Sequence, residues 1–230
     1  MASESSSEPE REPAGGSGRT DSRKVQARVA LSLLEAMRDS DRPGEVLDDE
    51  NVSETMPRRL GLSGVILSQI LRYQEEVRRG TRVPESEVVD LMRLIIRRPD
   101  SDELFRHVGR SLTAADGAPG WRRIFPERLA YAMARRRVRR RLRVLFGSHL
   151  TRVAGSPFRI EGVSDLLLRG DPGGDACELV TALAQAVLET YGRDSSVVVH
   201  SECRGRGGDR CLWEIKHAAS PGDEGPPAEA

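Results

Sequence analysis

Along the first two-thirds of the chain, apolar residues recur every three or four positions, the period of a helix with one buried face. Val25, Val29, Leu33 and Met37 draw such a stripe from Arg23 to Asp39, and Asp41-Arg42-Pro43-Gly44 stops it. Ile66, Ile70, Tyr73 and Val77 share a face in a second predicted helix, Pro57 to Arg79. Pro84, Glu85 and Ser86 stand at helix-start positions ahead of Val88, Leu91, Met92, Ile95 and Ile96, with Pro99 as the stop. Asp100 or Ser101 is the expected cap of a fourth helix running through Leu104, Phe105, Val108 and Leu112. Its Gly109 either admits a neighbouring helix at close range or weakens this one by about 1 kcal/mol relative to alanine. Ala118-Pro119-Gly120 closes a part of the chain that reads as all-helical and without internal repeat.

Between Trp121 and Arg143 the stripe Ala130, Ala134, Val138, Leu142 and Leu145 keeps helical spacing while arginines fill the remaining faces. After Gly147 the period changes. Leu150 to Val153 and Pro157 to Glu161 alternate as two short strands around Ala154-Gly155-Ser156. Asp171-Pro172-Gly173-Gly174-Asp175 is a loop and helix start. Leu179, Leu183, Ala186, Val187 and Thr190 then mark a helix fit to cover a sheet, ended by Gly192. Val197 to Ile215 reads as a β-hairpin with a Gly-rich turn. The expected fold is therefore α+β. A helical N-terminal half, residues 23 to 120, packs with a part spanning 121 to 217 that holds a small antiparallel sheet and its covering helix.

Composition trims both ends. Residues 1 to 22 are rich in Ser, Glu, Gly and Pro, and residues 218 to 230 in Pro, Gly, Glu and Ala, so both read as disordered tails. No run approaches the roughly 18 apolar residues of a membrane span, and no signal peptide is visible, so a cytoplasmic protein is expected. Thirty-six basic and 36 acidic residues cancel, which argues against a general polyanion binder. A local patch is still possible to read. Arg135, Arg136, Arg139, Arg140 and Arg143 are the residues a phosphate- or nucleic-acid-binding helix would use. The solvated face of an amphipathic helix is the preferred reading of the same pattern, and nucleic acid the alternative.

The sharpest chemistry lies at the hairpin. His200, Cys203 and Cys211 flank its turn, and the only other cysteine, Cys177, begins the covering helix. Three thiols and one imidazole make a set suited to structural zinc. Small buried thiols packed in a core and a Cys203–Cys211 disulfide, disfavoured in a reducing compartment, are the other readings. Glu202 is a nearby alternative donor and His217 a reserve one. His107 reads as a surface or capping residue. Gly205-Arg206-Gly207-Gly208 follows the wrong element order for a dinucleotide site.

This order of elements resembles the 4-vinyl reductase domain family, related in fold to small subunits of the TRAPP tethering complex and to sensory domains of bacterial phenol- and toluene-responsive activators. The likeness is strongest from Leu142 to Ile215. Its specific part is a cysteine on the covering helix, then an acidic residue, two intervening residues, a cysteine, seven intervening residues and a cysteine, which here reads Cys177, His200, Cys203 and Cys211. The resemblance places the three cysteines on the family's zinc positions, with His200 where aromatic-sensing members commonly carry glutamate. It implies a hydrophobic or aromatic small-molecule ligand, a sensor or scaffold role, and a homodimer formed through the helices. His149 is a candidate pocket residue by the same likeness. A TRAPP-like interaction module without ligand is the alternative. No electron-carrier motif or acid–base pair supports an enzyme, so no catalytic residue is assigned.

Overall fold

A computed structural model describes residues 23–41, 64–113, 127–148, 150–154, 158–191 and 196–217. Both tails, the segment from Pro57 to Ser63 of the second predicted helix, the Ala118-Pro119-Gly120 loop, Trp121, Phe125 and His149 lie outside the described residues. Within them the chain forms seven helices and six strands, an α+β arrangement.

The short strand β1 (Lys24–Gln26) leads into α1 (Ala27–Ser40), and α2 (Gly64–Arg78) leads into β2 (Arg82–Pro84). These two strands pair antiparallel, Val25 opposite Val83, so the N-terminal half is not all-helical as its periodicity predicts. The reason is length. Three-residue strands bury one side chain each, and Val25 and Val83 alone cannot display an alternation. Arg82 ties this ribbon to its surroundings, donating to the carbonyls of Lys24 (3.1 Å) and Val144 (2.7 Å).

Helices α3 (Glu85–Ile95) and α4 (Ser101–Ser111) follow. Asp100 occupies the N-cap position of α4 but makes no capping bond. Its carboxylate instead accepts from Ser40 Oγ (2.7 Å) and Arg98 Nε (3.0 Å), tying the end of α1 to the start of α4. Helix α5 (Glu127–Phe146) buries Ala130, Ala134, Val138, Leu142 and Leu145, the stripe its sequence predicts. Next come β3 (Thr151–Ala154), β4 (Arg159–Gly162), the one-turn α6 (Leu166–Gly170), the covering helix α7 (Cys177–Tyr191), and the strands β5 (Ser196–Glu202) and β6 (Cys211–His217). Helix α6 is too short to carry a recognisable period. It is held to α3 by an ion pair between Arg169 and Glu85, whose carboxylate is buried.

The larger sheet is antiparallel in the order β3-β4-β6-β5, so β6, last of the strands in sequence, is an interior one. The sheet packs on α7 through β5 and Trp213 of β6, and α7 also meets α4 and α5. Gly109 is the close-approach point: a β-carbon there would lie 2.4 Å from the Leu179 carbonyl oxygen and 2.9 Å from the Leu183 nitrogen. A single apolar cluster runs from Val25 through Phe105, Phe146 and Leu183 to Trp213, so the helical half and the sheet share one core. The free edge of β5 is dressed by a side chain. Gln185 accepts from the Val198 N–H (2.8 Å) and donates to the Ser196 carbonyl (3.3 Å), standing in for a missing strand.

Candidate metal centre

The covering helix and the terminal hairpin meet at their cysteines. Asp171 organises the approach. Its buried carboxylate accepts from the N–H groups of Gly173 (2.9 Å) and Ala176 (2.6 Å), folding the loop that delivers Cys177 to the first position of α7. On the hairpin, a 3-10 turn at Arg204–Arg206 follows Cys203, whose carbonyl accepts from the N–H groups of Arg206 (3.1 Å) and Gly208 (2.8 Å). The turn lies against the 172–174 loop so closely that a β-carbon on Gly205 would sit 2.7 Å from the Pro172 carbonyl oxygen. An ion pair between Arg206 and Asp175 (3.4 Å) closes the same contact.

These elements bring Cys177, His200, Cys203 and Cys211 together, with one ligand atom from each lying within 4.8 Å of all the others. The four predicted residues thus share one site. All three cysteines are buried and none is in a disulfide, so the cross-turn Cys203–Cys211 bridge is not formed. The Sγ atoms of Cys177 and Cys211 are 3.8 Å apart. That matches the edge of a tetrahedron built on metal–sulfur bonds of about 2.3 Å. Cys177 donates to Cys211, and His200 and the backbone N–H of Arg204 act on the same sulfur in favour of its charged form. The Cys177 contact, helped by those two, holds the Cys211 thiol down to about 4 although burial opposes it. The same hydrogen bond, with burial and the neighbouring sulfurs, pushes the Cys177 thiol up. Thiolate is the form that binds metal.

The imidazole is positioned by stacking. His200 lies on the Trp213 ring with centroids 4.7 Å apart and planes 13° from parallel. Trp213 is fully buried and anchored by its indole N–H on Thr181 Oγ1 (3.1 Å), one turn into α7. His200 Nε2 is buried and has no hydrogen-bond partner. A buried nitrogen without a hydrogen-bond partner, beside three sulfurs, fits the role of a fourth metal donor. Gly174 completes the cradle: its φ is +89°, and a β-carbon there would lie 2.6 Å from Cys203 Sγ.

Glu202 is not a member. Its carboxylate accepts from the N–H groups of Asp209 (3.0 Å) and Arg210 (3.2 Å) and pairs with the Arg210 guanidinium, bracing the far side of the turn. His217 pairs in register with Ser196, at the other end of the hairpin from the cysteines. His107 is exposed on α4, at the border of a cleft shared with Asp39, Ser40, Asp100 and Glu103. The residues that sequence reasoning did not single out are Trp213, Asp171 and Gly174. Only the Pro-Gly-Gly loop around the last two gave any signal. On α5, Arg136, Arg139, Arg140 and Arg143 are exposed and Arg135 is half-buried.

The donor set restricts the chemistry. Three thiols and an imidazole suit a soft or borderline cation and disfavour magnesium or calcium, which take oxygen ligands. Four protein donors match the number of ligands in a four-coordinate site. Among the described residues this is the one group of three or more His, Cys, Asp or Glu side chains able to hold a metal ion. No helix among them is long and apolar enough to cross a membrane. Compared with known proteins, the chain gives no significant match to a family model, a curated protein or a solved structure.

Proposed function

We propose that this chain is a sensor or scaffold domain for a hydrophobic or aromatic small molecule, built like the 4-vinyl reductase domains and locked by a structural zinc ion. The observation that carries the reading is the convergence of Cys177, His200, Cys203 and Cys211 in a cluster with 4.8 Å between its most distant ligand atoms. Zinc is the natural occupant because it accepts thiolate and imidazole together in a closed tetrahedron and brings no redox chemistry of its own. The metal would join the start of α7 to both strands of the hairpin. Binding energy at the site is then folding energy, because the four donors come together only in the folded chain.

The small-molecule role rests on the resemblance and on the layering of helices against one face of an antiparallel sheet. Four protein donors would fill a tetrahedral site, which supports a structural metal in a binding module. Elemental analysis of protein purified without chelator tests the metal, beside Cys177→Ser and Cys211→Ser. About one zinc per chain is expected, with loss of zinc and a lower melting temperature in both variants. Metal-free wild type that melts with the variants rules the centre out. Native mass spectrometry of the same sample tests the guest. An apolar or aromatic adduct displaced by organic solvent supports the sensor reading, and a bare chain that binds none of a panel of phenols, fatty acids and tetrapyrroles refutes it.

A further inference from the structure

Several arginines in the described part of the chain are matched by carboxylates. Arg72 pairs with Glu76 and Glu87, Arg98 with Asp41 and Asp100, Arg159 with Glu214, and Arg210 with Glu161 and Glu202. Elsewhere, three arginines gather around one concavity. Beside the last turns of α5, where the chain turns into β3, a cleft of about 190 Å³ is lined by Arg139, Arg143 and Arg152 together with Ser148, Thr151 and Val163. The three guanidiniums are exposed, and none has a hydrogen-bond or ion-pair partner among the described residues. No carboxylate lines the cleft.

Three like charges gathered around one concavity repel one another, and the carboxylate that the register places opposite Arg152, Glu161, lies outside the cleft lining and pairs with Arg210 (3.7 Å). The C-terminus of α5 contributes only about half a unit of negative charge. It therefore does not balance three cations. A guanidinium fork fits the oxygens of a phosphate, two or three forks can share one phosphoryl group, and the Ser148 and Thr151 hydroxyls supply further donors. We propose that this cleft binds a small phosphate monoester through Arg139, Arg143 and Arg152.

The cleft favours a small molecule over nucleic acid. Its volume accommodates a phosphoryl group with a sugar-sized body, and its lining contains no aromatic ring for a base to stack on. Phe105, Phe146, Phe158 and Trp213 are all buried in the core. The site also lies apart from the cysteine cluster, with which it shares no residue.

Isothermal titration with glucose 6-phosphate, inorganic phosphate and unphosphorylated glucose tests the site on the full chain. Saturable binding of both phosphates and none of glucose is expected. Arg143→Gln and Arg152→Gln should each weaken glucose 6-phosphate at least tenfold, while Arg97→Gln, outside the cleft lining, leaves it unchanged. Melting curves check that the variants fold, and competition by sulfate in the wild type supplies the evidence if either does not. Absence of saturable phosphate binding overturns the proposal, as does equal weakening by Arg97→Gln. Retention of a 20-nucleotide single strand with steep salt dependence, without monoester binding, also overturns it and reassigns the arginines to a nucleic-acid backbone.

Discussion

Replacing Gly174 with alanine adds one methyl group next to the cysteine cluster, and the effect separates into two parts. The first is backbone strain. At φ +89° an L-residue costs roughly 1–2 kcal/mol relative to glycine. The second is contact: the new carbon would stand 2.6 Å from Cys203 Sγ, so the sulfur must retreat by about 0.8 Å to reach ordinary contact at 3.4 Å. Metal–ligand distances tolerate only about 0.2 Å. Gly207 supplies the control, having the same φ of +89° but nothing within 4 Å of the added carbon. Gly207→Ala should therefore show strain alone, a melting temperature lower by about 2–8 °C with zinc content near one per chain, since about 1 kcal/mol moves a domain of this size by about 2–4 °C. Gly174→Ala should show the same loss together with at least tenfold weaker zinc retention against a chromophoric chelator. Differential scanning calorimetry with and without added zinc, paired with chelator competition, reads both parts. If Gly174→Ala holds zinc as tightly as Gly207→Ala and melts with it, Cys203 is not a ligand and the reasoning fails.

Arg169→Ala removes a charge-assisted hydrogen bond to the buried Glu85 carboxylate and should cost on the order of 2 kcal/mol, which urea unfolding would resolve. The Asp100 carboxyl is held below its ordinary value, first by hydrogen bonds from Arg98 and also by Ser40, although burial works the other way. Its folded-state value lies beneath the unfolded one, so the stabilisation is complete above about pH 4 and disappears as pH falls through the folded value. Melting temperatures from pH 5 down to 2 should fall less steeply in Arg98→Ala than in wild type; parallel slopes would show that the pair carries no such linkage.

Long periodic segments made much of this architecture readable in advance. The stripe on α5 needed five apolar positions in register, and all five are buried. The covering helix and the hairpin were legible for the same reason, and the cysteine spacing brought the four candidate donors onto one list before any geometry was available. The ribbon formed by β1 and β2 was not legible, because three residues with one buried valine each carry no period. Helix α6 hid for a similar reason. Asp100 shows a different limit: its residue type and position fit a helix cap, yet its carboxylate is used across 60 residues of chain to reach Ser40. Local chemistry does not reveal which of two competing partners a carboxylate will take. Trp213 was equally hidden as a support for His200, since register between β5 and β6 places the indole under the imidazole.

The strand order has a consequence for how the chain comes together in time. Strands β4 and β5 do not touch each other; each pairs with β6, which follows both in sequence. During synthesis, which runs from the N-terminus at roughly 5–20 residues per second, the strands that will flank the gap exist before the strand that fills it. Until Cys211–His217 arrives, β5 has no neighbour in the sheet, Trp213 is missing from under α7, and the apolar flank of that helix waits uncovered. The sheet therefore closes in one late step, and that step also delivers Cys211 to the other three donors.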